Sequence, residues 1–132
     1  MLETPRYGWS ALTIGEWSDR ISYLDDAAYM LLETLIKSYE TEEPQTVEFD
    51  AEGWDWSLSF DGERATVITE KDELETIHLD MSKTEIAKAL LADLRRDITP
   101  WADFVYEDLA EEELKAREDA LRTLCDKLES LI

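Results

Sequence analysis

Between Thr46 and Phe60 the apolar residues fall at nearly every second position, and this alternation limits the fold more than any other feature of the chain. Val47, Phe49 and Ala51 are interleaved with Glu48, Asp50 and Glu52. After Gly53, Trp54, Trp56, Leu58 and Phe60 are interleaved with Asp55, Ser57, Ser59 and Asp61. A period of two belongs to a half-buried strand, whose side chains point alternately to opposite faces. Asp61-Gly62 supplies a hairpin turn, because glycine accepts the positive φ that tight hairpins require. Arg64–Glu70 and Leu74–Met81 read as a third and a fourth strand, joined at Lys71-Asp72-Glu73. Four strands with such short connections form an antiparallel meander most simply.

On either side of these strands the period is helical. Trp17, Ile21, Leu24, Ala28, Leu31 and Leu35 make one stripe at spacings of three and four, widened by Leu32, Ile36 and Tyr39. Thr13-Ile14-Gly15-Glu16 has the form of a capping box. The spacing therefore predicts a first helix from near that box to about Tyr39, ended ahead of Pro44. Gly15 fits poorly inside it, and a start nearer Ser18 or Asp19 is the alternative. Ser82-Lys83-Thr84-Glu85 is a second capping box, opening a helix with Ile86, Leu90, Leu94 and Ile98 on its apolar side. Thr99-Pro100 starts a short helix with Thr as cap and Pro at the first position, loaded with Trp101, Phe104, Val105 and Leu109. Leu114, Leu121, Leu124, Leu128 and Leu131 mark the last helix, with Glu111–Glu113 at the end where acids complement the dipole. The order is α-β-β-β-β-α-α-α. Residues 1–132 read as a single α+β domain, a four-stranded antiparallel meander with one face covered by an N-terminal helix and C-terminal helices.

Charge narrows the function classes. The chain carries 33 acids against 13 lysines and arginines, a net charge of −20. Direct binding of nucleic acid is disfavoured, because it depends on clustered Lys and Arg to neutralise phosphates. The 44% hydrophobic content, with five Trp, argues against disorder. No apolar run approaches the roughly 20 residues of a membrane span. MLETPRYGW lacks the layout of a signal peptide, and the lone Cys125 cannot close an intramolecular disulfide. A cytoplasmic protein is expected. The acids are also unevenly spread. Residues 40–80 hold 14 of them against Arg64 and Lys71 alone, a net −12, while residues 81–132 hold 13 against 8 bases.

Strand parity says where that excess goes. If the Trp54/Trp56/Leu58/Phe60 row faces the helices, Asp55, Ser57, Ser59 and Asp61 face outward, with Glu48, Asp50 and Glu52 beside them and His78 and Asp80 on the fourth strand. Like charges opposed across strands cost roughly a few tenths to 1 kcal/mol per pair. A basic partner would offset that cost. The partner-binding surface is therefore placed on Glu48, Asp50, Glu52, Asp55, Asp61 and Asp80. The acidic loop Asp72-Glu73-Glu75, with Lys71, is a rival position. A polar outer face that serves solubility alone is the plainer account of the same residues.

Catalytic and metal motifs are not legible. Adjacent acids occur at Asp25-Asp26, Glu42-Glu43, Asp72-Glu73 and Glu107-Asp108, but 33 acids give such pairs by chance. Asp55-x-Ser57-x-Ser59 begins like a calcium loop. It fails at Phe60, where glycine is needed, and at Thr66, where a bidentate Glu is needed. There is no Cys/His pair for zinc, and His78, the single imidazole, has no nucleophile tied to it by a motif. Cys125 reads as a small core or boundary residue. Trp54 and Trp56 read as core, and Trp9, Trp17 or Trp101 would anchor an interface if exposed. No enzyme, cofactor or metal is expected.

With its net charge of −20, its 132-residue single domain, the acid-rich stretch Glu40–Asp80 and no catalytic motif, the chain resembles the small acidic immunity proteins of bacterial toxin systems. The resemblance is one of general character along the whole chain. It implies a cytoplasmic inhibitor that binds a basic toxin, often a nuclease, and blocks its active site or substrate groove. The alternative is a non-catalytic adaptor or structural domain of a larger assembly, with an acidic surface that keeps it soluble.

Overall fold

The computed structural model describes residues 1–106 and 108–132; Glu107, one of the adjacent acids noted above, lies outside them. The fold is α+β. A hairpin of β1 (Trp9–Ile14) and β2 (Trp17–Ser22) precedes helix α1 (Ala27–Thr41). A four-stranded antiparallel meander follows: β3 (Gln45–Asp50), β4 (Asp55–Asp61), β5 (Arg64–Thr69) and β6 (Glu75–His78), in that spatial order. Helices α2 (Lys83–Arg96), α3 (Thr99–Ala102) and α4 (Glu111–Leu131) complete the chain.

The meander and its covering helices agree with the sequence reading, but the start of the chain does not. The expected N-terminal helix is a hairpin as far as Ser22, and helix begins only at Ala27. Trp17 and Ile21 are four apart, a spacing that a period of two satisfies as well as a period of 3.6 does. Gly15 resolves the ambiguity. It occupies the first of two turn residues between Ile14 and Trp17 with φ +61°, the position where a two-residue hairpin of the II′ kind calls for glycine. Thr13 and Ser18 are cross-strand neighbours whose hydroxyls bond at 2.9 Å, so the supposed capping box is spent across the hairpin. Gly62-Glu63 repeats the same turn between Asp61 and Arg64, with Gly62 at φ +57°.

Downstream the second capping box holds, but the Thr99 cap does not. Ser82 caps α2 with both bonds of the capping box: its Oγ accepts from the Glu85 amide at 3.1 Å, and the Glu85 carboxylate accepts from the Ser82 amide at 3.2 Å. Helix α1 buries Leu31, Leu32, Leu35 and Ile36, and ends where Glu42 turns left-handed (φ +57°) ahead of Pro44. Helix α3 is a single turn, Thr99–Ala102, with Ile98 rather than Thr99 at the N-cap position and no side-chain cap bond; the Thr99 hydroxyl donates to Glu118, and Phe104, Val105 and Leu109 lie beyond the helix.

Trp56 sits at the centre of the core. It is 1% exposed, stacked on Phe49 with ring centroids 4.5 Å apart and met edge-on by Trp17 at 5.1 Å. Its indole N–H donates to the Arg20 carbonyl at 3.0 Å, which ties β2 to the meander. The Arg20 guanidinium continues the joint. It donates to the carbonyls of Ala51 (2.9 Å) and Glu52 (3.3 Å) and lies between the rings of Trp9 and Trp54, 4.7 and 4.3 Å from their centroids. Replacing Trp56 by Phe removes a fully buried donor and part of a core ring, and costs about 2 kcal/mol or more in urea denaturation. Trp54→Phe loses only a half-buried bond to Asp19 and costs under about 1 kcal/mol. Equal losses from the two variants would contradict this account of the joint.

Candidate functional site

The face of the meander turned away from the helices is the candidate site. Val47, Phe49, Trp56, Leu58, Phe60, Ala65 and Val67 are buried on the helix side, so the intervening residues must lie on the other. Strand register arranges them in rows across the sheet. One row is Thr46, Ser59, Thr66 and His78; the next is Glu48, Ser57, Ile68 and Thr76. A third is Asp50, Asp55 and Glu70, the last placed by the bond from its amide to the Asp55 carbonyl at 3.2 Å.

The face is thus not uniformly acidic. Its middle is hydroxyls, Ile68 and one imidazole, and its carboxylates collect at the end where β3 and β4 meet their turn. Glu48, Asp55 and Glu70 rim a shallow depression of about 280 Å³ with Ser57 and Ile68 within it. Asp25, in the loop before α1, joins this end by accepting the Asp50 amide at 2.7 Å. Burial pushes the Asp25 carboxyl above the usual carboxylate range. The Asp50 amide works against that shift, and the charges of Asp50 and Asp55 add to it.

The expected surface residues divide accordingly. Glu48, Asp50 and Asp55 are exposed on the open face as anticipated. Glu52 is not on a strand: β3 stops at Asp50, and Glu52 has φ +58° in the turn, with its amide donating to the Asp50 carboxylate at 2.8 Å. Asp61 stands at the far end of β4, opposite Arg64, away from the acid row. Asp80 is exposed beyond the end of β6. Asp72 and Glu73 are exposed in the β5–β6 loop. That loop is no separate site, because Lys71 lies 5.0 Å over the Trp54 ring, immediately before Asp55. The two positions treated as rivals in the sequence form one surface. Glu70 is the acid that the sequence reading missed, although its parity within Arg64–Glu70 already placed it outward.

No ion pair neutralises this surface among the described residues. The side-chain pairs lie on the helices and just ahead of α1: Arg95 with Asp126 and Glu129, Arg96 with Asp93, Arg117 with Asp26, Arg122 with Glu118 and Asp119, Lys127 with Glu40. The sheet acids between residues 45 and 80 take part in none of them.

The remaining chemistry-bearing groups stand apart from this end. His78 is exposed opposite Thr66. Cys125 is buried on α4, where desolvation raises its pKa and favours the neutral thiol. No group of three or more His, Cys, Asp or Glu placed to hold a metal occurs among the described residues, and no helix there is long and apolar enough to cross a membrane. A larger cavity of about 560 Å³ lies at the N-terminal segment, lined by Glu3, Arg6, Trp9 and Arg96 among others, with two arginines to one acid. No protein-family model, curated protein or solved structure matches the chain.

Two consequences can be measured. Asp55→Asn removes one charge of the Asp50–Asp55 cross-strand pair without touching a side-chain hydrogen bond, and should raise stability by roughly 0.2–1 kcal/mol in denaturant titrations. A loss of stability would mean that Asp55 is compensated in the free protein. For Asp25, a folded pKa above the unfolded one means that the native state holds the proton more tightly. Its contribution is present below about pH 4 and lost as pH rises through the folded value. Asp103, also raised by burial, acts in the same sense. Asp25→Asn keeps an acceptor for the Asp50 amide, so its advantage in melting temperature over the natural protein should grow from about pH 4 upward. Parallel curves for the two proteins would rule this out.

Proposed function

We propose that the protein is an acidic binding module whose open sheet face docks a basic protein, in the manner of an immunity or inhibitor protein that blocks a bacterial toxin such as a nuclease. One observation carries the reading: the row Asp50, Asp55 and Glu70, with Glu48 beside it, has no ion-pair partner among the described residues, while Glu40, Asp93, Glu118, Asp126 and Glu129 on the helices pair with arginine or lysine. Like charges held together on a sheet weaken it, and a cationic surface laid over them would turn the same charges into attraction.

The role is binding rather than chemistry. The depression between Glu48, Asp55 and Glu70 is shallow and lies at the small end of ligand pockets, which run from about 300 to 1,000 Å³ and enclose their ligands. It suits one lysine or arginine side chain of a partner. Exposed, unpaired carboxylates act at long range, so they raise the association rate toward about 10⁸ M⁻¹s⁻¹ at low salt, and that gain falls as salt screens it. Trp54 at the end of the row, stiffened by Arg20 and Lys71 against its ring, supplies the aromatic surface that slows dissociation.

Affinity capture with the natural protein and with the triple variant Glu48→Gln/Asp55→Asn/Glu70→Gln tests this, followed by an activity assay of the captured partner. The expected result is a basic partner, lost with the triple variant and at about 0.5 M salt, whose own activity falls in proportion to the protein added. A principal partner that is acidic, or that the triple variant retains equally, would overturn the reading. Retained partner activity would favour the adaptor role.

A further inference from the structure

We propose that the outer edge of β6 accepts an extended, lysine- or arginine-bearing segment of the partner as a fifth strand of the meander. The inference rests on the basic-partner reading above and adds the place and form of the contact.

The free backbone groups are fixed by register. The Leu79 amide donates to the Ala65 carbonyl at 3.0 Å, and Val67 pairs with Ile77 and Thr69 with Glu75. Alternate residues of an antiparallel strand send their N–H and C=O groups to opposite sides. Residues 75, 77 and 79 therefore bond to β5, and Thr76 and His78 turn their backbone groups away from it. No strand lies beyond β6 among the described residues. Two aliphatic side chains stand exposed next to this edge: Leu74, 71% exposed, just before the strand, and Ile68, 40% exposed, opposite Thr76 on the open face. An added strand would run alongside Leu74, and Ile68 lies one strand further in on the open face.

The opposite edge of the meander is partly taken up within the chain. The same alternation turns Thr46, Glu48 and Asp50 outward on β3, but Asp25 already holds the Asp50 amide. Helix α1 stands beside that edge, with Met30, Glu33, Thr34 and Lys37 lining the groove between them, so less open space is left there for an added strand. Around β6 the charges are negative: Asp72 and Glu73 precede it, Glu75 lies on it and Asp80 follows it, all exposed. The one base of the loop, Lys71, is turned to Trp54. A second copy of this chain would bring the same acids and a further −20 to the same edge, so charge selects a basic guest over self-pairing.

The test uses the intact protein with a short peptide of alternating lysine and valine, and a glutamate-valine peptide as control, read by amide hydrogen exchange and chemical shifts. The lysine peptide should protect the amides of Thr76 and His78, and the glutamate peptide should protect neither. Thr76→Pro removes an outward N–H while leaving the bonds to β5 in place, and should weaken peptide binding roughly tenfold. If that variant does not fold, the amide protection in the natural protein decides. Lysine-peptide shifts confined to the Asp50, Asp55 and Glu70 row, with Thr76 and His78 unprotected, would overturn the added strand while sparing the acidic-face reading. No interaction with the lysine peptide at either place would overturn both. Concentration-dependent protection of Thr76 and His78 without peptide would assign the edge to a second copy instead.

Discussion

Everything on the open face is set by the burial of Trp56. A tryptophan held between Phe49 and Trp17, with its only donor committed to the Arg20 carbonyl, cannot be moved to the other side of its strand without exposing its ring and orphaning that carbonyl. In a strand the neighbours then have no choice: Asp55 and Ser57 must point away from the core, and register carries the same parity to Glu48, Asp50, Ile68 and Glu70. The acid row is therefore a geometric consequence of an apolar choice made on the opposite face. A one-residue slip of β4 would bury Asp55 and expose Trp56 together, so the positions of the carboxylates are as well determined as the core itself.

The same joint gathers the cations of this region. Arg20 is spent on two carbonyls and two indole rings, and Lys71 lies over Trp54. Both bases stand near the acids without pairing with them among the described residues. The helices behave differently in part: Arg95, Arg117, Arg122 and Lys127 reach acids on neighbouring elements or one turn away, while Lys37, Lys88 and Lys115 pair with none among the described residues. Two halves of one small domain thus follow different rules of charge. Surface pairs are worth only about 0–1 kcal/mol each, so fold stability alone gives little reason for the contrast. Association does, because unpaired charge projects a field and paired charge does not.

How much of this was legible depended on whether the local pattern admitted one period or two. Residues 46–70 alternate over enough positions that only a strand fits, and the meander, its turn at Gly62 and its outward carboxylates follow from the residues alone. Ser82 and Glu85 likewise specify a helix start through atoms that satisfy each other. Residues 13–24 were misleading for a physical reason: positions 17 and 21 share a face in either geometry, and Thr13 with Glu16 matches a cap that the hairpin does not use. The decisive residue was Gly15, an unfavourable element in a helix and the required one in the turn. Contacts between distant segments, such as Arg20 with Trp54 and Asp25 with Asp50, left no local trace. Glu70 did leave one, because the parity that placed Asp55 outward applies equally to the third strand.

The clustering of the acids at one end of the sheet, rather than across it, changes what the face is suited to recognise. A uniformly negative plane attracts any cation without orienting it. Here a carboxylate row ends at a half-buried tryptophan, passes into hydroxyls and Ile68, and runs out at a strand edge with unused backbone groups. Those features differ in range. Charge acts over about 8–10 Å at ordinary salt, the indole and Ile68 act only on contact, and backbone bonds demand both contact and direction. A partner drawn in by the first would be sorted by the second and held in register by the third. On the proposed docking role, that order of action uses the neighbours of the charge, whereas solubility requires the charge alone.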